Sequence, residues 1–171
     1  MKKYLITPKP SYSQLRRYMP DFALYRDKEN KNYAFEAQNF VEMCRGFTAM
    51  HCFLHQDYEL AAKLGADGVH LTSQQFDDIP HAKELGLEVV ISTHTDDEVY
   101  IAEAMGADYV TYSPIFATPG KGEPKGVEVL KEIINMTDIA IFALGGIVNE
   151  KEIELLSESG VFGFASIRYF Q

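Results

Sequence analysis

The 171-residue chain has no tryptophan and only two cysteines, and its basic residues are outnumbered by its acidic ones. Sixteen Lys and Arg stand against 25 Asp and Glu, which gives a formal net charge of −9. This balance argues against non-specific binding to nucleic acid or to anionic membranes, because both carry dense negative charge. It also means that an anionic ligand would need a local group of basic side chains.

Long hydrophobic runs are missing as well. No stretch of roughly 18 apolar residues occurs, so we predict no transmembrane helix. The apolar part of the N-terminal segment is too short for a signal peptide, and we expect a cytoplasmic protein. Cys44 and Cys52 do not form a Cys-x-x-Cys motif. We therefore predict buried free thiols rather than a disulfide or a nucleophile.

The chain does contain a regular alternation of short apolar runs and helical patterns. Eight predicted strands alternate with seven predicted helices, which is typical of a parallel α/β fold, and eight strands can close a barrel. We predict a compact (β/α)8 TIM barrel formed by residues 1–171 as a single domain. No helical pattern follows Ser166, so we expect the last helix to be missing or very short. The predicted strands are residues 3–7, 22–25, 49–54, 69–71, 88–92, 108–112, 139–144 and 161–165.

Two near-identical phrases mark this alternation most clearly. Residues 65–69 read Gly-Ala-Asp-Gly-Val, and residues 106–110 read Gly-Ala-Asp-Tyr-Val. Each phrase ends a helical pattern and leads into an apolar run, which predicts two βα units of a barrel or stacked array. The strands then end in small polar residues or histidine. In parallel βα arrays, the strand ends are where the chemistry takes place.

The Gly145-Gly146 pair after the seventh strand predicts a phosphate site. Glycines let the backbone approach an anion closely, and the helix that follows would point its N-terminus at the anion. Ser166, at the end of the eighth strand, would add a hydroxyl and an amide. Loops after the seventh and eighth strands commonly bind phosphate in such barrels. A tight strand-to-helix turn without a ligand is the alternative explanation of the glycine pair.

His94 follows the fifth strand, close to Ser92. A histidine can transfer a proton near neutral pH, and a barrel mouth would give it a reacting group to serve. A structural histidine bonded to the adjacent loop is the alternative. His51 and His70 lie inside apolar runs, which predicts packed or hydrogen-bonded core side chains. His55 lies at a strand end and is a weaker site candidate than His94.

Arg26 and Lys28 stand two positions apart at a strand end, which places both on the same side of an extended chain. Lys121 lies in a Gly/Pro loop that could fold over the mouth as a lid. Together these residues would supply the local positive charge that a protein of net charge −9 needs to hold a phosphate. A solvated cluster of charges is the alternative.

Several motifs, taken in order, resemble the thiamine phosphate synthase/TenI family. They are residues 65–71 (GADGVHL), 92–95 (STHT), 112–118 (YSPIFAT), 143–147 (ALGGI) and 163–167 (GFASI). The resemblance covers nearly the whole chain and implies a (β/α)8 barrel. Thiamine phosphate synthase uses Mg²⁺ to join hydroxymethylpyrimidine diphosphate to thiazole phosphate. TenI-like tautomerases instead move a proton on a thiazole carboxylate phosphate, which aromatises the ring without a metal.

The resemblance also implies roles for individual residues. Arg26 and Lys28 would face a diphosphate, while Leu24 stands where the family has a Gln. His55-Gln56 stands where the synthase has Asn-Asp, and Gln75 where it has a second metal-binding Asp. Both carboxylates that would bind Mg²⁺ are therefore amides, which hold a hard cation weakly. This departure speaks against the synthase reaction.

By the same resemblance, His94 matches the acid/base of a tautomerase, although a histidine at this position also occurs in synthases. The residues that would surround the thiazole phosphate are Ser92, Thr118 and Lys121 near the ring and Gly145, Gly146 and Ser166 at the phosphate, with His55 as a further substrate-binding candidate.

We therefore predict a TenI-like protein that binds a thiazole phosphate and tautomerises it without a metal or other cofactor. One alternative is a divergent synthase that takes Mg²⁺ through Asp27 or Asp77. Another is a non-catalytic regulatory module that binds a phosphorylated ligand. The expected partner is a small phosphorylated thiazole or thiamine phosphate, with neither nucleic acid nor membrane involved.

The missing eighth helix has one more consequence. It predicts an exposed apolar flank, with Phe162, Phe164, Tyr169 and Phe170 as candidates. A homodimer would cover such a flank with a second copy of the chain.

Overall fold

The computed structural model describes all 171 residues and forms a closed barrel of eight parallel strands. The strands follow one another around the barrel in chain order, and the pairing of the first strand with the last closes it. The strands are β1 Lys2–Thr7, β2 Phe22–Tyr25, β3 His51–His55, β4 Gly68–Leu71, β5 Glu88–Thr93, β6 Tyr109–Tyr112, β7 Ala140–Leu144 and β8 Gly163–Ser166. The helices are α1 Tyr12–Tyr18, α2 Tyr33–Cys44, α3 Tyr58–Leu64, α4 Ile79–Glu84, α5 Asp96–Ala104, α6 Gly126–Met136 and α7 Glu150–Ser157.

The predicted (β/α)8 barrel is confirmed, including the absence of an eighth α-helix. Strands β3 and β8 begin two residues later than the apolar pattern predicted, at His51 and Gly163. The difference has a physical reason, because an apolar run marks burial whereas pairing with a neighbour marks a strand. The β2–β3 ladder starts with the pair of Phe22 and His51, so the buried Met50 before it is not part of the strand.

The repeated Gly-Ala-Asp phrase has a structural role at the N-terminal ends of the strands. Asp67 accepts the backbone N–H of Cys52 in β3 at 2.7 Å, and Asp108 accepts that of Val89 in β5 at 2.7 Å. Asp21 accepts the backbone N–H of Lys3 in β1 at 2.9 Å. In each case the donor is the second residue of the neighbouring strand. We call these three carboxylates the aspartate clamps, and they lie at the end of the barrel opposite the strand C-termini.

Aromatic rings fill the interior of the barrel. Tyr4 is fully buried, and its ring centroid lies 5.8 Å from that of Phe22, 6.0 Å from Phe53 and 5.0 Å from Phe142. A second, larger cluster of 34 buried residues lies between the strands and the helices. The barrel axis is therefore a packed core up to the level of the strand C-termini, where a cavity begins.

A short 3-10 turn, Arg168–Phe170, stands in the place of the eighth helix. Phe164 and Phe170 are buried with their ring planes nearly parallel at 5.8 Å, and Tyr169 packs edge-on against both. The predicted exposed flank is therefore wrong for Phe164 and Phe170, because the final turn folds back over β8. Phe162 is 37% exposed. The apolar argument for a second copy is weakened, and the homodimer stays a prediction.

Two smaller expectations can be compared with the structure. Cys44 and Cys52 are both buried and free, as predicted. None of the helices combines the length and the apolar character that crossing a membrane requires.

Candidate functional site

A cavity of about 590 Å³ opens at the C-terminal ends of the strands, where βα loops meet in barrels of this kind. The structure brings every predicted site residue to its wall, although these residues come from six of the eight strand ends or βα loops. They are Arg26, Lys28, His55, Ser92, His94, Thr118, Lys121, Gly145, Gly146 and Ser166.

The cavity is positively charged in a protein that is acidic as a whole. Four basic side chains line it, Arg26, Lys28, Lys121 and Arg168, and no carboxylate does. None of the four forms an ion pair within 4.0 Å, since the ion pairs of the structure lie elsewhere. Burial lowers the pKa of the Arg26 guanidinium. Unpaired cations converging on a concave surface favour an anionic ligand.

Gly145 and Gly146 form a turn with positive φ angles of 100° and 71°. A Cβ on Gly146 would lie 2.6 Å from the Cβ of Phe116, and one on Gly145 would lie 2.8 Å from the Cα of Pro114. Only glycine fits here, because the loop after β6 packs directly on the turn. Gly146 and Ile147 line the cavity wall, and their backbone N–H groups make no hydrogen bond within the protein.

The first residues of α7 do not line the cavity, and the helix carries its own cap. Asn149 caps the helix by accepting the N–H of Lys151 at 2.9 Å. Glu152 completes a capping box by accepting the N–H of Asn149 at 3.0 Å. The capping box engages these N–H groups within the helix, and of this segment Gly145, Gly146 and Ile147 line the cavity.

Ser166 is placed at the cavity, but its hydroxyl is engaged inside the protein. The hydroxyl donates to the Ile147 carbonyl at 2.7 Å and accepts the backbone N–H of Tyr169 at 3.1 Å. Ser166 is also only 5% exposed. The hydroxyl that we predicted next to the anion is therefore already bonded within the protein, and it ties the loop after β7 to the final turn.

His94 is exposed to the cavity and oriented by the loop after β6. Its Nδ1 lies 3.3 Å from the Ser113 carbonyl oxygen and 3.2 Å from the Ser113 hydroxyl. Because a carbonyl can only accept a hydrogen bond, this contact favours a hydrogen on Nδ1. Nε2 then keeps its lone pair and has no partner in the protein. An imidazole held in this way can accept a proton from a ligand in the cavity.

Two further histidines line the cavity, and both are buried. His70 is 3% exposed, and its ring bonds to the hydroxyls of Tyr4 and Ser92 at 2.8 and 3.0 Å. Burial lowers the pKa of His55 to about 4 and that of His70 to about 3. Nearby Arg26 acts in the same direction on both rings. Both histidines are therefore neutral at pH 7. The hydrogen-bonded core histidine predicted at His70 is correct, but the residue also touches the cavity.

His51 departs from the prediction of a core side chain. Its side chain is 44% exposed and pairs with Glu88 at 2.7 Å. The ring stacks on Phe22 at a centroid distance of 4.8 Å. His51 is the first residue of β3, so it lies at the end of the barrel opposite the cavity.

The residues at the positions that the resemblance assigns to Mg²⁺ do not fit that ion. The Gln75 side-chain oxygen accepts the Thr72 N–H at 3.1 Å, and its nitrogen donates to the Gln56 carbonyl at 3.2 Å, so the amide closes a loop. Asp27 and Asp77 do not line the cavity. No group of three His, Cys, Asp or Glu side chains could hold a metal. Mg²⁺ binding would need charged oxygen ligands that this cavity lacks.

Arg168 and His70 are two residues of the cavity wall that sequence reasoning did not assign to the site. Arg168 was overlooked because no helix was expected after Ser166, yet its place just beyond a strand end was a usable signal. His70 was taken for core alone. Strand alternation was the signal there, because His70 stands two residues after Gly68, on the inward face of β4.

The closed eight-stranded barrel and its positively charged mouth define a (β/α)8-barrel protein suited to a small anionic ligand. The family model described as thiamine monophosphate synthase (TMP-TENI) matches residues 9–170, and the chain belongs to that family, which is one of thiamine biosynthesis. The recognition made from the motifs is thus confirmed.

Individual relatives agree with the family. The thiamine-phosphate synthase of Lactococcus lactis is 33% identical over 84% of this chain and 70% of its own length. That of Synechocystis is 34% identical over 84% of this chain but only 43% of its own length. A relative from Aquifex aeolicus is 35% identical over 68% of this chain and 64% of its own length. The chain thus spans less than two thirds of the length of the latter two.

Solved structures show the same fold. A thiamine phosphate pyrophosphorylase from Pyrococcus furiosus superposes with a TM-score of 0.83 at 27% identity, covering 97% of this chain and 85% of that one. FabK from Thermotoga maritima, at 14% identity and a TM-score of 0.78, covers 98% of this chain and 58% of its own, and it shares the fold alone.

Proposed function

We propose that the barrel mouth binds a thiazole phosphate and that His94 transfers a proton on its ring, in a tautomerisation that needs no metal. One observation carries this proposal. The imidazole of His94 is held at Nδ1 by Ser113 and keeps a free Nε2 in a cavity that has four basic side chains and no carboxylate. Such a site suits proton transfer on an anionic substrate better than metal-assisted transfer of a diphosphate.

The volume and the lining of the cavity support binding of a small phosphorylated heterocycle. A volume of about 590 Å³ lies within the range of small-molecule sites. The free N–H groups of Gly146 and Ile147, with Arg168 next to the loop after β8, would hold the phosphate. Arg26 and Lys28, on the loop after β2, would add long-range attraction or hold a carboxylate of the ligand.

The proposed step is balanced without a co-reactant. His94 Nε2 takes a proton from the saturated ring carbon of the non-aromatic thiazole. The resulting imidazolium then returns a proton to the atom at the other end of the substrate's conjugated double bonds. The double bonds shift so that the ring becomes aromatic. No bond to phosphorus changes, so no charge has to be neutralised on a leaving group.

The test is to incubate the chain with the non-aromatic thiazole tautomer and to follow the ultraviolet band of the aromatic ring. We expect a rate well above background for the wild type and about a hundredfold loss for His94→Ala. His81→Ala, on the exposed face of α4, is the matched control. A wild-type rate equal to background would reject the activity. A full rate for His94→Ala would reject the role of the residue while leaving the activity standing.

The names of the relatives favour a second candidate, the thiamine-phosphate synthase reaction, over the tautomerisation. Mg²⁺ would be its cofactor, and the four basic side chains would have to make up for the weak ion site when pyrophosphate leaves. A coupled assay for thiamine phosphate, with Mg²⁺ and with EDTA, separates the two candidates. Product formation that EDTA abolishes would establish the synthase. Ligand-induced thermal stabilisation without either turnover would instead indicate a binding module.

A further inference from the structure

Three polar side chains form a connected chain from the barrel interior to the floor of the cavity. The Tyr4 hydroxyl in β1 lies 2.8 Å from His70 Nδ1 in β4, and His70 Nε2 lies 3.0 Å from the Ser92 hydroxyl in β5. Ser92 and His70 line the cavity, whereas Tyr4 lies beneath them and is fully buried. The resemblance assigned Ser92 to the ligand but gave no role to the two residues behind it.

The direction of the first hydrogen bond follows from the surroundings of Tyr4. The rings of Phe22, Phe53 and Phe142 pack against it, and His70 Nδ1 is the only polar partner of its hydroxyl. Burial raises the pKa of this phenol well above its ordinary value, so the hydroxyl keeps its hydrogen. That hydrogen must point at Nδ1, because no other acceptor is within reach.

The second hydrogen bond is then fixed by the first. A neutral imidazole carries one hydrogen, and with Nδ1 accepting, that hydrogen is on Nε2 and is donated to the Ser92 oxygen. The ring is neutral because burial, with His55 and Arg26 nearby, lowers its pKa to about 3. Ser92 makes no other side-chain hydrogen bond in the protein, so its own hydrogen is free for the cavity.

We propose that Tyr4 and His70 are positioning residues that hold the Ser92 hydroxyl as a hydrogen-bond donor to the bound ligand. The cavity floor then selects a ligand that presents an acceptor there, such as a ring nitrogen with a lone pair or a carboxylate oxygen, and disfavours a ring N–H or an amine. Taking the ligand to be a thiazole phosphate rests on the proposed function.

The opposite direction of the hydrogen bond between Ser92 and His70 would give Ser92 a different chemical role. A serine that donates to histidine is the arrangement of an activated nucleophile, and it requires the hydrogen on Nδ1. In this fold, that arrangement would place the hydrogens of Nδ1 and Tyr4 against each other or leave the phenol hydrogen without an acceptor. The Ser92–His70 pair is therefore a donor to the ligand and not a nucleophile–base pair.

The polarity can be measured without any ligand, by ¹⁵N NMR of the histidine-labelled full chain at pH 7. The His70 resonances are assigned by their loss in His70→Gln, and the wild-type spectrum itself carries the result. We expect a protonated Nε2 and an unprotonated Nδ1. A hydrogen on Nδ1, or an imidazolium, would overturn the proposal. This result is independent of whether the chain acts on thiazole phosphate.

The effect on recognition is measured by calorimetric titration with thiazole phosphate. We expect Ser92→Ala to weaken binding about tenfold and Tyr4→Phe about threefold. Tyr4→Phe should have no further effect in the Ser92→Ala background, because Tyr4 acts through Ser92. Tyr109→Phe, which removes a half-buried tyrosine hydroxyl at the other end of the barrel, is the matched control and should bind like wild type.

Equal affinity of Ser92→Ala and wild type would overturn the proposal, as would a Tyr4→Phe effect of the same size in both backgrounds, which would mark a general loss of packing. Should the wild type fail to bind thiazole phosphate, the proposed function and the assignment of the ligand fall together. The NMR result then still decides whether the Ser92 hydroxyl is a donor.

Discussion

The two ends of this barrel differ in the charged side chains that they carry and in how those side chains are bonded. At the end where the strands begin, carboxylates bind backbone N–H groups, and Glu88 is bound by His51 at 2.7 Å and by Tyr109 at 3.0 Å. At the end where the strands finish, four basic side chains are unpaired and no carboxylate lines the wall. The difference shows how a chain of net charge −9 can still present a cationic cavity.

The histidines make the contrast sharper. His51 stacks on an aromatic ring and bonds to a carboxylate, an arrangement that leaves it little freedom. The His94 ring is held only at Nδ1, by the hydroxyl and carbonyl of Ser113. The first end is thus built for stability and the second for a ligand. The predictions below test that division, from the largest expected effect to the smallest.

Gly146→Ala should be the most damaging single change at the mouth. It adds a Cβ 2.6 Å from that of Phe116 at a residue with φ of 71°, so strain and crowding combine to cost about 3 kcal/mol of unfolding free energy. Thiazole phosphate binding should be lost. Gly122→Ala has φ of 76° but open space around it, and should cost only about 1 kcal/mol. Equal losses of unfolding free energy for Gly146→Ala and Gly122→Ala, measured by urea denaturation, would contradict the crowding argument.

The pH dependence of stability should report the buried His55. Burial, with Arg26 and Lys28 nearby, lowers its pKa to about 4 from an ordinary 6.5. The unfolded chain therefore binds more protons between these values, and stability is lost as the pH falls from 6.5 to about 4. We expect His55→Gln to lose about 2 kcal/mol less than wild type over this range in urea titrations. Parallel losses in the two proteins would rule out His55 as the source.

Asp108→Ala tests the opposite end. It leaves the Val89 N–H without its acceptor and should lower the unfolding free energy by about 2 kcal/mol, while thiazole phosphate affinity stays unchanged. Glu158→Ala, at the exposed end of α7, removes the same charge and should change little. A clear loss of thiazole phosphate affinity in folded Asp108→Ala would show that the two ends of the barrel do not act independently.

Arg168→Ala should have the smallest effect on stability and a specific one on binding. Loss of an unpaired guanidinium at the cavity should weaken phosphate-ester binding about tenfold at low salt, and less at high salt. Arg16→Ala, on the exposed face of α1, is the matched control. Equal affinities of Arg168→Ala and Arg16→Ala, measured by calorimetry, would show that Arg168 does not bind the phosphate.

The barrel could be predicted from the sequence because the signals for its strands and helices are local. Apolar runs and helical periodicity mark each element separately, and the ends of parallel strands meet whatever the details. The state of individual polar groups is not local. The hydroxyl of Ser166 and the amide of Gln75 are engaged by loops that periodicity does not describe, and Tyr4 and His70 are 66 positions apart. The buried Phe170 was missed because the absence of a helix was taken to mean exposure.

The aspartate clamps have a consequence for how such a protein can change. Each clamp binds a backbone N–H of a neighbouring strand through one carboxylate, and none of the three carboxylates lines the cavity. Substitutions among the upper loops can therefore accumulate while the scaffold keeps its shape. Two chains that share this scaffold and belong to one family can therefore differ in the reaction that each one performs.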